Sequence, residues 1–432
     1  MFKQGEIVEV STSTQLFKGV FINEEKDFLI IKLKSGYNIG ISKRNIKEQK
    51  SLGAGKAEHK EAKKGKEKPD SKLPLISLLH TGGTIASKVD YNTGAVIAQF
   101  TPEDIIELFP ELKEIANLNS KLISNMFSEN MRFSHYNLMA KAVEEEIKKG
   151  ARGIIITHGT DTLHYTAAAL SFMLENIGIP VVIVGSQRSS DRPSSDSAVN
   201  LISAAIFITN TKAEGVFVCM HESMNDDNCL IMEGVNARKM HTSRRDAFRP
   251  INKGLVAKVD YKEKKIEWLK DAKKSEGKPS LKPFNERIKV GMVKIHPNMF
   301  ADELECFKHY DGLVIEGTGL GHIGMVEVDN HTKENAEIGK ILKHLAEKMP
   351  VVMSSQTIYG RIDMNVYSTG REQINLGLIG NYADMTPETA FIKLAWLLSN
   401  YSKENKEEIK ALFEKSLRGE ISERSEKEQF LI

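Results

Sequence analysis

The sequence predicts an α/β protein with two units built on parallel sheets, preceded by a small all-β module. Three observations carry this. Apolar strand candidates alternate with helical patterns from Leu73 to about Leu269, and the alternation resumes at Ile288 and runs to about residue 400. Strand, helix, strand order needs crossovers that cover both faces of a largely parallel sheet. Between the two runs, Asp271-Ala272-Lys273-Lys274-Ser275-Glu276-Gly277-Lys278-Pro279 has the composition of a linker. Ahead of both, residues 5 to about 47 alternate apolar and polar positions at period two.

Taken in order, Ile7-Val8-Glu9-Val10, Phe17-Lys18-Gly19-Val20-Phe21 and Phe28-Leu29-Ile30-Ile31-Lys32-Leu33, with Gly36 and Asn38 as turn residues, predict a barrel-like domain over residues 1–50. Residues 51–72 are rich in Lys, Glu, Gly and Ala with almost no large apolar side chains. They cannot bury enough surface to fold alone and read as a charged flexible linker, with contact to RNA phosphate as the alternative use of the charge. In the unit predicted over 73–270, the apolar run Leu73 to His80 enters Thr81-Gly82-Gly83-Thr84-Ile85-Ala86-Ser87. The run Gly153-Ile154-Ile155-Ile156 enters Thr157-His158-Gly159-Thr160-Asp161-Thr162, preceded by a helical pattern at Asn137 to Glu144 and followed by one at Thr166 to Leu170. After a linker at 271–287, the unit predicted over 288–400 has strands at Ile288 to Val293, Gly312 to Gly317 and Pro350 to Ser355, and a helix at Ala390 to Leu398. Residues 401–432 read as a last helix, from the one-sided apolar pattern of Ile409-Lys410-Ala411-Leu412-Phe413, and a tail.

Composition narrows the function classes. A formal net charge of +2 on 432 residues gives no field that would gather nucleic acid, so any tRNA contact is local. Cys219, Cys229 and Cys306 are odd in number and lack CxxC spacing, which points away from a disulfide framework or a zinc cage and toward a reduced, cytoplasmic setting. The amino terminus lacks the apolar core of a signal peptide, and no run approaches the roughly 20 apolar residues that span a bilayer.

Chemistry concentrates in the two threonine-bearing loops. Each ends a buried-strand pattern, and ligands collect at the carboxyl ends of strands in a parallel sheet. A threonine hydroxyl is a poor nucleophile and needs a neighbouring group to take its proton. Gly82 and Gly83 let main-chain N–H groups approach a substrate oxygen, as part of an oxyanion hole. Alone, the first loop fits an ordinary turn or a phosphate-binding loop, and Thr160 with Asp161 fits a helix N-cap. Two such loops together suggest one active site.

At these residues the chain resembles the asparaginase/glutaminase family, whose signature loops have the forms TGGT-I-A and HGTDT; the resemblance runs from about residue 74 to about 400. It implies an asparaginase-like two-domain α/β fold and amide hydrolysis with Thr84 as nucleophile. It also implies that Tyr91, in Asp90-Tyr91-Asn92-Thr93-Gly94, helps to activate Thr84, the alternative being a tyrosine that covers a surface cleft. A second triad is implied by the same family: Lys239, in Arg238-Lys239-Met240-His241-Thr242-Ser243, takes a proton from Thr160, and Asp161 holds the lysine. Solvated surface is the alternative for that basic stretch. Ser128 and Glu129 match the pair that grips the substrate's α-carboxylate and α-ammonium, with Asp161 as a second partner for the ammonium; a polar strand-end turn is the alternative. His80, His158, His221 and His241 lie near the loops, but no G-x-S-x-G elbow accompanies them, so they read as structural histidines.

The amino-terminal module and the stretches Arg188 to Asp196, Arg238 to Phe248, Asn365 to Glu372 and Gly419 to Ser425 further resemble the family of archaeal glutamyl-tRNA(Gln) amidotransferase D subunits. That resemblance implies a glutaminase, or asparaginase, that delivers ammonia to a partner, the amidotransferase E subunit, in a heterodimer or heterotetramer. The partner binds the charged tRNA and uses ATP with Mg²⁺, so no cofactor and no metal is expected in this chain, which has no G-x-x-x-x-G-K-[ST] loop. A homodimer through the asparaginase-like domain is implied as well. Where some asparaginases supply a glutamate from a neighbouring protomer, this sequence reads Gly360-Arg361-Ile362-Asp363-Met364-Asn365. A free-standing cytoplasmic L-asparaginase is the first alternative, and a non-enzymatic RNA-binding or scaffold protein the second.

Overall fold

The structure, a computed structural model, describes all residues except 1, 4, 14, 25, 34–37, 55–69, 84, 86, 90–95, 99–108, 191–193, 272–276, 426–429 and 431–432. Period-two alternation near the amino terminus produces five antiparallel strands: β1 (Glu6–Thr12), β2 (Leu16–Glu24), β3 (Phe28–Leu33), β4 (Asn38–Ser42) and β5 (Ile46–Ala54), ordered β4-β3-β2-β1-β5. Val8, Val10, Phe21, Leu29, Ile31 and Ile41 form their common core. Strand β5 continues past residue 50, where the linker was expected to begin, because Ser51 pairs with Val8 and Ala54 with Glu6. Residues 51–53 are exposed, so their composition hides a strand that is held by main-chain bonds alone.

The next sheet has β6 (Leu75–Gly82), β7 (Asn117–Met126), β8 (Gly153–Thr157), β9 (Pro180–Val184), β10 (Gly215–His221) and β11 (Asn228–Glu233). A separate ribbon is formed by β12 (Ala237–Lys239) and β13 (Phe248–Pro250), and the sheet is completed by β14 (Ala257–Asp260) and β15 (Lys265–Trp268). Its order is β15-β14-β11-β10-β9-β8-β6-β7. Strands β7, β6, β8, β9 and β10 are mutually parallel, as the alternating pattern predicts, but β11, β14 and β15 return antiparallel. Residues 222–227 between β10 and β11 are too few for a crossover, so the chain can only fold back beside itself. Helices α1 (Phe133–Lys148) and α2 (Leu163–Met173) pack on one face with Ile154 and Ile156, and α3 (Ser197–Asn210) packs on the other with Ile155. Successive residues of β8 thus face opposite layers.

The last sheet is parallel, β16 (Val290–Lys294), β17 (Gly312–Gly317) and β18 (Val351–Ser355), with α4 (Lys333–Lys348) contributing Ile338, Leu342 and Leu345 to its core. Helix α5 (Ser368–Asn375) follows, then α6 (Pro387–Asn400) and α7 (Lys406–Phe413). Thr386 accepts a hydrogen bond from the Thr389 N–H and Pro387 takes the first helical position, which together start α6. Helix α6 packs against α2, where Trp396 meets Phe172 at a ring distance of 5.6 Å.

Lys393 interrupts the apolar run of α6. It is fully buried; its ammonium donates to the carbonyls of Phe413 (2.7 Å) and Lys415 (2.6 Å), closing the end of α7, and pairs with the equally buried Glu420 at 2.5 Å. The residues beyond α7 are stitched down. Arg418 reaches Glu175 at 3.0 Å, the Ser422 N–H donates to Asp384 at 2.9 Å, and the Ser422 hydroxyl donates to the Asn252 carbonyl at 3.1 Å. Arg361, from the stretch that departs from some asparaginases, donates to the Ser422 carbonyl at 3.2 Å. Among the described residues, no helix is long and apolar enough to cross a membrane.

Candidate active site

Backbone contact joins the two threonine-bearing loops. Gly83 has φ +82°, and a Cβ built there would lie 2.4 Å from the Gly159 Cα and N, so only glycine permits the approach. A Cβ on Gly159 would in turn lie 2.8 Å from the Ser128 Oγ. The strand ends below are tied as well: the Thr81 hydroxyl donates to the Thr157 carbonyl at 2.9 Å, and His80 Nδ1 meets the Thr157 hydroxyl at 2.5 Å. Thr84 and Tyr91, the expected nucleophile and its activator, lie outside the described residues.

Capping does not explain the second loop. Helix α2 starts after Thr162, whose hydroxyl makes no cap and instead donates to the Ser128 carbonyl at 2.6 Å. Thr160 and Asp161 turn toward Lys239, whose Nζ donates to the Thr160 Oγ1 at 2.9 Å and to the Asp161 Oδ1 at 2.7 Å. The Lys239 side chain is 11% exposed and that of Asp161 is 67% exposed: the lysine is enclosed while the carboxylate reaches solvent and any ligand there. Lys239 ends β12, and its ribbon holds it opposite Phe248. Ser128 is buried in a short turn (Ser128–Asn130) just past β7, where its Oγ accepts the Thr162 N–H at 3.3 Å; Glu129 is exposed on that turn.

The histidines are held by neighbours. His158 donates Nδ1–H to the Gly159 carbonyl at 2.7 Å and its Nε2 accepts the Thr166 hydroxyl at 2.9 Å; burial lowers its pKa to about 4, so it is neutral. Burial lowers His80 to about 4 as well. His221 lies between Asn200 (2.6 Å) and Asp226 (3.3 Å), and His241 accepts the N–H groups of Ser243 and Arg244.

Glu388 is a neighbour of the site that sequence reasoning missed. It sits in the first turn of α6 and accepts three bonds from the guanidinium of Arg238, the residue next to Lys239: from Nε at 3.0 Å to Oε1 and 3.1 Å to Oε2, and from Nη2 at 2.7 Å to Oε1. The available signal was Thr386-Pro387-Glu388, a helix start that presents an acid in its first turn. Chemically, the cluster offers an enclosed lysine linking a threonine hydroxyl to a carboxylate, beside a glycine loop able to bring main-chain donors to a substrate.

Comparison with known proteins matches most of the chain to three family models. Residues 75–274 match the family model "Asparaginase, N-terminal", residues 289–413 the "Glutaminase/Asparaginase C-terminal domain", and residues 2–50 the "GatD N-terminal domain". The glutamyl-tRNA(Gln) amidotransferase D subunit of Methanosarcina barkeri is 44% identical over 435 residues, covering 98% of this chain and 98% of that protein. The D subunit from Methanococcus maripaludis is 43% identical over 428 residues, covering 97% and 98%. The thermostable L-asparaginase from Thermococcus kodakarensis superposes with a TM-score of 0.72 at 31% identity, covering 81% of this chain and all of that one.

Proposed function

We infer what the chain does from what it is: it belongs to the family of glutamyl-tRNA(Gln) amidotransferase D subunits, with an asparaginase-type amidohydrolase as its larger part. It is the glutaminase component of a tRNA-dependent amidotransferase, and its ammonia converts Glu-tRNA(Gln) to Gln-tRNA(Gln). The observation that carries the hydrolytic reading is the Lys239 Nζ bridging Thr160 and Asp161 beside the glycine loop.

In this reading the Thr84 hydroxyl attacks the side-chain amide carbon of glutamine or asparagine. The hydroxyl proton is passed to the departing nitrogen, ammonia leaves, and water cleaves the resulting ester. Thr160, Lys239 and Asp161 form the proton relay, and Tyr91 assists Thr84. Ser128 holds the α-carboxylate, while Glu129 and Asp161 receive the α-ammonium. Residues 1–50, extended by the end of β5 to Ala54, 73–270 and 288–400 serve as separate domains. The chain works in the cytoplasm as a homodimer through its asparaginase-like part, assembled with the amidotransferase E subunit, which holds the tRNA, ATP and Mg²⁺.

Thr84→Val tests this directly. It should abolish glutamine-dependent amidation of Glu-tRNA(Gln) by the assembled complex, while excess ammonium chloride restores it; persisting glutaminase activity would rule out Thr84 as nucleophile. The likeness to the Thermococcus kodakarensis enzyme favours a second reading, a free-standing L-asparaginase. The match of residues 2–50 to a domain outside the two asparaginase models speaks against it. Copurification of a second polypeptide with amidation activity separates the two.

A further inference from the structure

We propose that the Arg238–Glu388 pair is a positioning clamp that fixes Lys239 against Thr160. This rests on the reading of Lys239 as the proton acceptor and adds two residues to it. The ribbon β12–β13 that carries Lys239 pairs with no other strand among the described residues, and an isolated two-stranded ribbon is marginal in water. Ala237 and Phe248 bury its inner side in the core. On the β13 side Arg249 donates to the Glu222 carbonyl at 3.0 Å; on the β12 side, next to Lys239, the hold comes from the first turn of α6, where Glu388 takes the Arg238 guanidinium and the Thr389 hydroxyl donates to the Val235 carbonyl at 2.9 Å.

Consecutive strand residues point to opposite sides. Arg238 therefore pulls the backbone toward α6 while Lys239 reaches the other way to Thr160 and Asp161, and the two tethers together fix the Lys239 main chain. A guanidinium fork on a carboxylate fixes orientation as well as distance, which an ammonium or an apolar contact does not. Burial opposes ionisation of Glu388, but Arg238 outweighs it and holds the carboxyl below its ordinary range. The other groups around it leave Arg238 as its cation: the His164 Nε2, 4.0 Å from Glu388, is neutral through burial, and Tyr165 and Glu316 are acids whose ionisation burial suppresses.

Glu388→Gln keeps the shape of the side chain and removes its charge. Glutamine hydrolysis should lose about 100-fold in kcat, with KM changed by less than about threefold, because a base displaced by about 1 Å is penalised in the chemical step. Arg238→Lys, which keeps charge and loses the fork, should lose about tenfold in kcat. The double variant Arg238→Met with Glu388→Met should fold, since an apolar pair can replace a buried ion pair, yet remain slow. A Glu388→Gln enzyme with kcat within about twofold of the parent, a loss carried wholly by KM, or a double variant with parental kcat would each overturn the clamp. Should Glu388→Gln fail to fold, Arg238→Lys decides on its own, and parental kcat there overturns the proposal. Lys239→Met measured in parallel keeps the two readings apart. Activity in Lys239→Met removes the proton-acceptor reading itself, whereas an inactive Lys239→Met beside a fully active Glu388→Gln removes only the clamp.

Discussion

Helix α6 holds one charged side chain in its first turn and another midway along, and their surroundings differ. Glu388 meets Arg238 at the seam with the ribbon, where the two side chains are 11% and 26% exposed. Lys393 meets Glu420 with no exposure on either side, and its remaining donors end on carbonyls of α7 and the stretch after it. Water can still reach part of the first pair and relieve a missing partner, but nothing can do so at the second. Removing one member of a fully buried pair strands a charge, whereas a pair at the edge of solvent can lose its charge and keep its packing. The same helix thus uses one ion pair to set geometry near the chemistry and the other to close the fold.

The largest expected effect breaks the sealed pair. Lys393→Met should cost about 3–5 kcal/mol of unfolding free energy in urea, while kcat of the molecules that remain folded at low temperature stays parental. Pairing it with Glu420→Leu should recover only part of the loss, because Glu420 also accepts the N–H groups of Leu417 and Arg418. Equal stability of Lys393→Met and the parent would erase the distinction drawn between the two pairs. Glu388→Gln comes next, at about 1–2 kcal/mol, since the amide keeps the packing and loses the charge that holds the guanidinium; a loss matching that of Lys393→Met would make both pairs structural.

Acid titration sharpens the contrast. The folded pKa of Glu388 is depressed, so its stabilisation is present above the ordinary carboxyl pKa of 4.5 and drains as pH falls below it. His80, His158 and His164 act earlier: burial sets each at about 4 in the fold against 6.5 unfolded, so the unfolded chain binds more protons between those values. Stability from that source is full above pH 6.5 and falls toward pH 4. Unfolding free energy against pH should show the histidine decline in both the parent and Glu388→Gln, with the further decline below 4.5 weaker in the variant. Identical curves below that pH would mean the carboxylate carries no net stabilisation. The smallest effect is the control. Lys340 and Glu337 form a surface pair on α4, and Lys340→Ala should change stability by less than about 0.5 kcal/mol by the same urea measurement.

Much of the candidate site was legible because its residues are marked locally. Thr160, Asp161 and Lys239, grouped by the family resemblance rather than by their own pattern, lie in hydrogen-bond contact, and Ser128 joins them through Thr162. Glu388 was not legible as a neighbour of Lys239: its partner Arg238 is 150 positions away in the chain, and only the folded path of α6 brings them together. The three antiparallel strands that extend the large sheet were not legible for a different reason. Strand β11 is as apolar as its parallel neighbours, and its direction is set by the length of the connection at 222–227 rather than by side-chain pattern, while β14 (Ala257-Lys258-Val259-Asp260) and β15 (Lys265-Ile266-Glu267-Trp268) are short and half polar. Lys393 was visible as a lone lysine in an apolar run, yet nothing local revealed that its counter-charge lies beyond the last helix.

That placement has a consequence for synthesis. Translation lays down α6 before it reaches Glu420, so a chain that ends between them has no Glu420 carboxylate to receive Lys393 in the core. A nascent, stalled or clipped chain that stops short of Glu420 faces a desolvated ammonium whose cost is a large part of a typical folding free energy of about 5–15 kcal/mol. A chain lacking Glu420 should therefore be more open to degradation than one that contains it. A chain ending at Gly419 should be cut by protease far faster than one ending at Ser425, and equal survival of the two would show that the core tolerates the unpaired lysine.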